Sequence, residues 1–480
     1  MKHTASLLSI TLACAAVATP QGRPVDWPSI GGDARRSGWE KSDIRITKDN
    51  AKDFKLVLKR KLEGPTAGAR ALTPPVVIGL LISYKGFKEL GFVAGNSGDL
   101  WSIDVDTNKE FWHQRYPVAK GGSALCAGLA SAPSLVPPAV FGGRRPAAGA
   151  VRPAQLPARL GGGGFGGPRP IYFVAGDGKL RQVNTSDGSD RFPSLDFMPA
   201  GSKVSNLVMT DNTVFAASSG NCGGTPNALY AIDLAQEETK PVSFPLPAGD
   251  AISEFAVGNN GMVFVQTSTQ LYALSGKDLQ RKAALTLGSA KATATVTAPT
   301  VFEYKGKDLV AAARDGKIYL IDSEAPDAPI ATSAQVGNIG AGLSTWEDGD
   351  GVRWIAAPVH GAVSTELKAA ASNGAAPNGS IVAFRIEDKG GKPELVPAWV
   401  SRDLKAPVAP VVTSGNLFAL STAGRAVLYG FDWATGKELY SSGAQVTAPG
   451  SLTGLTLANG RVFFTTTDNT LYGFGIFLEI

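Results

Sequence analysis

The stretch Leu100–Trp112, LWSIDVDTNKEFW, decides the reading of the whole chain. Leu100, Trp101 and Ile103 are the apolar, aromatic and β-branched residues that favour a strand. Asp104, Asp106, Thr107 and Asn108 follow with turn chemistry, since their short polar side chains bond nearby backbone groups. Phe111 and Trp112 then resume an apolar strand. The unit recurs near the other end of the chain as LYGFDWATGKELY, Leu428–Tyr440, with Asp432 in the place of Asp104, Thr435 for Thr107, Gly436 for Asn108 and Tyr440 for Trp112. A unit shared by both ends of a chain is a repeat, and a repeat sets the fold before any single element does.

Further copies are LRQVNTSDGSDRF (Leu180–Phe192), with Asn184 at the Asp position, LYAIDL with Asp233, and IYLIDS with Asp322. LYALSGKDLQRK carries Ser275 instead, IVAFRIEDKGGKPELVPAW (Ile381–Trp399) has a longer hairpin, and LYGFGI (Leu471–Ile476) is the last. Short turns such as GDGK, RDGK and TDNT precede several copies, and hydrophobic strands such as IYFVAG, TVFAASS and RVFFTT precede those turns. The spacing predicts about eight four-stranded units at a period of roughly 40–50 residues, an all-β, eight-bladed propeller of antiparallel blades. The last unit runs out after three strands, while FKLVLKRKL (Phe54–Leu62) lies ahead of the first complete blade. The last blade is therefore predicted to be completed by this N-terminal strand, which removes the open edge of the ring.

Residues 1–18, MKHTASLLSITLACAAVA, have a basic start, a short apolar run and Ala16-Val17-Ala18 as a small-residue cleavage site. This pattern predicts a secretory signal peptide and a periplasmic or extracellular mature protein. Cys14 leaves a lipoprotein signal as the alternative. No other run is long and apolar enough for a transmembrane helix. After cleavage at Ala18, Cys126 and Cys222 remain, and an oxidising compartment favours a disulfide between them over two buried thiols. Residues 19–53 are expected to pack on the ring as an extension, and residues 54–480 to form the propeller. Residues 141–169 (FGGRRPAAGAVRPAQLPARLGGGGFGGPR) read as a solvated insertion that cannot bury a core. A net charge of +5 from scattered basic residues gives no concentrated face for nucleic acid.

The repeated [LI]-[YW]-x-[IFL]-D with its following T-x-K-E-x-[WY] or T-G-K-E-x-[WY], together with the lead-in DWPSIGGDARRSGW (Asp26–Trp39), resembles the quinoprotein-type propellers. These comprise the pyrroloquinoline-quinone (PQQ) dependent dehydrogenases and cofactor-free relatives, among them a lipoprotein that helps assemble outer-membrane proteins. In the enzymes PQQ lies at the axis with calcium held by Glu, Asn and Asp side chains, under a disulfide between adjacent cysteines. Asn221, in SSGNCGG, resembles the family's calcium-binding Asn. This chain has no Cys-Cys pair and no Cys-x-x-Cys-His for a c-type haem, and nothing in it matches the calcium-binding Glu or the catalytic Asp. The resemblance leaves room for an axial Cys126–Cys222 disulfide in place of the adjacent pair.

Glu347 and Asp348, in STWEDGDGVRW, are the other candidate oxygen ligands for calcium, and their ordinary reading is a turn with solvated acids. His360 follows the strand RWIAAP and is a candidate to face the axial funnel, the ordinary reading of a lone His being structural. With 3 His in the chain, a multi-His metal site is excluded. Tyr230, Tyr272, Tyr319, Tyr429 and Tyr472 share one repeat position and read as core packing. A hydrolase or lyase on the same ring finds no motif to support it. The sequence favours a monomeric, non-redox binding or assembly scaffold that engages a protein or small molecule at one propeller face. The alternative is a PQQ- and calcium-dependent alcohol or sugar dehydrogenase.

Overall fold

The computed structural model describes residues 24–63, 72–83, 86–95, 98–117, 129–131, 170–219, 226–236, 238–289 and 296–476. The signal region with Cys14, Cys126, Asn221, Cys222 and the insertion at 141–169 lie outside them.

Asp99–Asp104 and Lys109–Arg115 pair antiparallel across the turn read from the sequence. Asp104 Oδ1 accepts the amides of Asp106 and Thr107, both at 3.2 Å, and Asp432 Oδ1 accepts those of Ala434 and Thr435 at 2.8 and 3.1 Å. Asp233 and Asp322 likewise accept the amide two residues on, each at 2.9 Å. The repeated Asp is thus the residue whose side chain closes the turn between the third and fourth strands. Asn108 and Gly436 occupy the same left-handed position, φ +54° and +69°, where Asn and Gly are tolerated.

Eight sheets result, one per blade, and six of them have four strands. Blade 1 runs Val76–Ser83, Gly86–Ala94, Asp99–Asp104, Lys109–Arg115. The first strands of successive blades, such as Lys203–Thr210, Ile252–Val257, Thr300–Tyr304, Ser344–Glu347, Val411–Thr413 and Thr456–Ala458, touch one another around the axis. The last of these returns to Val76–Ser83, so the ring closes. Blade 8 takes Lys55–Lys61 as its outer strand, antiparallel to Thr470–Gly475, with Leu58 opposite Gly473. A Cβ on Gly473 would lie 2.9 Å from the Phe463 ring and 3.0 Å from Leu58 Cβ, so this seam is packed to contact.

The core lies within and between blades. Phe54 stacks on Phe418 at 4.9 Å between centroids, and Phe464 on Tyr472 at 5.7 Å. Tyr230, Tyr272, Tyr319 and Tyr472 are buried and Tyr429 is half-buried, all on third strands, as core packing requires.

Candidate functional site

Residues 25–46 make little secondary structure of their own, because their backbone partners lie on the blades. Trp27 exchanges both amide bonds with Val77 of blade 1, at 2.9 and 3.0 Å. Ala34, Arg35, Ser37 and Gly38 then accept, in order, the amides of Val257 in blade 4, Val301 in blade 5, Thr345 in blade 6 and Val412 in blade 7, all at 2.8–2.9 Å. Trp39–Glu40 add a short parallel strand to blade 7, and Asp43 accepts the amide of Gly460 in blade 8. The segment is a belt that follows the ring around the axis and supplies inner-strand amides with acceptors they would otherwise lack. Gly38 permits its close approach: φ is +64°, and a Cβ there would sit 2.7 Å from Ser344 Oγ.

The belt bounds an axial cavity of about 520 Å³. Its wall comes from the starts of the inner strands and the ends of the second strands, and is rich in small residues: Gly95, Ala298, Gly340, Ala341, Gly342, Gly454. Among the described lining residues the carboxylate is Glu254, and the belt's Arg36 engages it in an ion pair. Arg36 is 6% exposed and also donates from Nη1 to the Ile30 carbonyl at 3.2 Å. Two of the lining hydroxyls are likewise engaged: Thr297 donates to the Ala313 carbonyl at 3.0 Å and Ser344 to that of Pro410 at 2.5 Å. His360 lines the cavity, with Nε2 3.0 Å from the Pro407 carbonyl, so it ties blade 6 to blade 7. Its ring rests on Gly340, where a Cβ would come within 2.2 Å.

Glu347 and Asp348 do not line this cavity. They stand at the far end of the strand that begins at Ser344. Glu347 pairs with Arg353 at 2.9 Å. Asp348 accepts the amides of Asp350 and Val352 through Oδ1 at 3.0 and 2.9 Å, and Trp354 Nε1 through Oδ2 at 2.7 Å. Among the described residues no group of three or more His, Cys, Asp or Glu could hold a metal ion. A calcium ion takes six to eight oxygens, from carboxylates, carbonyls and water. The described part of the axial wall offers Glu254 alone, already neutralised, so these residues do not fit a PQQ-bound calcium. Arg36 and Glu254 escaped the sequence reading. The available signal was a single acid inside the apolar strand ISEFAV.

No family model matches the chain, and no curated protein matches it. Solved structures do match. A quinohemoprotein alcohol dehydrogenase from Comamonas testosteroni superposes with TM-score 0.59 at 13% identity, over 95% of this chain and 81% of that one. A europium-containing methanol dehydrogenase gives 0.55 at 11%, over 94% and 89%. BamB from Moraxella catarrhalis gives 0.51 at 12%, over 89% and 99%. At these identities what is shared is the fold, the eight-bladed quinoprotein-type propeller that the repeats resemble.

Proposed function

We propose that this chain is an exported, monomeric propeller that serves as a rigid binding or assembly scaffold without redox activity. The observation that carries the reading is the Arg36–Glu254 pair. The cavity's described carboxylate is bound by a residue of the chain's own belt, and the hydroxyls of Thr297 and Ser344 are committed to backbone carbonyls. A wall of small residues braced in this way holds the blades in register, which suits a ring whose exposed loops do the binding. Among the described residues no helix is long and apolar enough to cross a membrane. In this reading Cys126 and Cys222 form a disulfide in the oxidising compartment to which the signal peptide directs the chain.

The test is a calorimetric titration of the mature protein with PQQ and calcium, with dye reduction followed against a panel of alcohols and sugars. The expected result is neither binding heat nor reduction. Calcium-dependent PQQ binding that disappears in Asn221→Ala would overturn the scaffold and establish the dehydrogenase, with Asn221 as a ligand. Thiol titration of the same unfolded, unreduced preparation is expected to find no free cysteine. One free thiol per remaining Cys would remove the disulfide from the reading.

A further inference from the structure

A second cavity, of about 280 Å³, opens between the belt and blades 5 and 6. The belt contributes Arg35, Ser37, Trp39 and Lys41. Blade 5 contributes Glu303 and Lys305, and blade 6 contributes Thr345, Glu347 and Arg353. Three of its four cations have a carboxylate nearby: Arg353 has Glu347 at 2.9 Å, Arg35 has Asp33 at 3.5 Å, and Lys305 is paired with Asp388. Lys41 has no ion pair among the described residues. Its ammonium sits 4.5 Å from the centroid of the Trp39 ring. The Arg353 guanidinium lies 5.5 Å from that same ring and 5.7 Å from Phe302. Its side chain is 7% exposed, and its Nε, buried in the wall of the cavity, has no hydrogen-bond partner.

Lys41, exposed and without an ion pair among the described residues, and the buried Arg353 share one indole in a recess that also carries Glu303 and Glu347, and an anion reaching the Lys41 ammonium would give it a partner. Desolvation lowers the proton affinity of Lys41, the charges of Arg35 and Arg353 lower it further, and Asp33 and Glu347 oppose them in part. An anion in the cavity would reverse that penalty. Guanidinium and ammonium donors in a partly desolvated recess bind oxygen anions by charge-assisted hydrogen bonds, stronger than neutral ones. The cavity has room for a phosphate or a four-carbon dicarboxylate.

We propose that the recess between Trp39, Lys41 and Arg353 is a binding site for a small oxyanion, a phosphate or carboxylate group. It is distinct from the axial cavity, which Ser344 borders, and opens farther along the same inner strand, at Thr345 and Glu347. It stands apart from the scaffold reading and survives the failure of that reading.

The experiment titrates the full mature chain with sodium phosphate and with sodium succinate at low ionic strength, against sodium chloride, by calorimetry. Saturable binding of at least one oxyanion is expected. Lys41→Gln is expected to weaken it about tenfold or more, the usual worth of a hydrogen bond to a charged group. Arg353→Lys, which keeps the charge but loses the fork, tests the buried side, with the unfolding midpoint of each variant confirming that it folds. Phosphate without succinate would assign a phosphoryl ligand, and succinate without phosphate a carboxylate. No saturable heat beyond chloride, or wild-type affinity in a folded Lys41→Gln variant, would overturn the site.

Discussion

Trp27→Ala is expected to lower the unfolding free energy by about 3–5 kcal/mol, the range for truncating a fully buried Trp. Trp27 is 1% exposed, although it lies in a segment with almost no regular structure. Its ring covers Gly32, where a Cβ would come within 3.1 Å, and its backbone is bridged on both sides to Val77. It shares one hydrophobic cluster with Trp101 and Val93 of blade 1, and with Leu58, Phe463 and Phe474 of blade 8. The cavity left by alanine would therefore open at the seam where the two ends of the ring meet. Denaturant unfolding should show a lower midpoint with unchanged slope, because the same surface is exposed on unfolding. Leu452→Ala, at a residue 45% exposed, is the control and should stay within about 0.5 kcal/mol of wild type. A Trp27→Ala midpoint equal to that of the control would mean that the belt lies on the ring without bracing it.

The ring was legible in the sequence; a segment packed on it was expected at residues 19–53, but its course around the axis was not legible, for reasons that lie in different parts of the chain. A blade announces itself through side chains: Asp104, Asp233, Asp322 and Asp432 each close the same turn, and a period follows from their recurrence. The closing strand could be read because blade 8 lacked one and Phe54–Leu62 was spare, a matter of counting. The belt is held largely by its own carbonyls accepting blade amides, and a carbonyl is present at every residue, so the lead-in Asp26–Trp39 could be recognised while the blades it touches could not be read from its side chains. Glu347 and Asp348 illustrate the converse. Acids at close spacing suit either a cation or a turn, and here Asp348 spends both oxygens on Asp350, Val352 and Trp354 while Glu347 faces Arg353. That choice was set by Arg353 and Trp354, which cross the hairpin to reach the two acids. Arg36 and Glu254, far apart in sequence, meet only because the belt circles the axis.

The same seam predicts a dependence on pH. Glu89, on the second strand of blade 1, pairs at 2.8 Å with Arg461 on the second strand of blade 8, and Arg461 also holds Asp106 at 2.7 Å. Burial pushes the Glu89 carboxyl from 4.5 up to about 7; Arg461 opposes that rise, and the negative charge of Asp106 adds to it. A carboxyl whose affinity for protons is higher folded than unfolded stabilises the fold when protonated. Its contribution is complete below the unfolded value near 4.5 and is lost as pH rises through about 7. At about 1.4 kcal/mol per tenfold change in proton affinity, the loss between pH 5 and pH 8 is on the order of 3 kcal/mol. Glu89→Gln carries the protonated shape at every pH and still offers an oxygen to Arg461. Its unfolding midpoint should match wild type near pH 5 and exceed it at pH 8. If wild type and Glu89→Gln instead fall together from pH 5 to pH 8, the dependence belongs to other groups. If wild type is the more stable at pH 8, Arg461 more than offsets the burial of Glu89, and the ion pair, rather than the packing around it, holds blade 8 to blade 1.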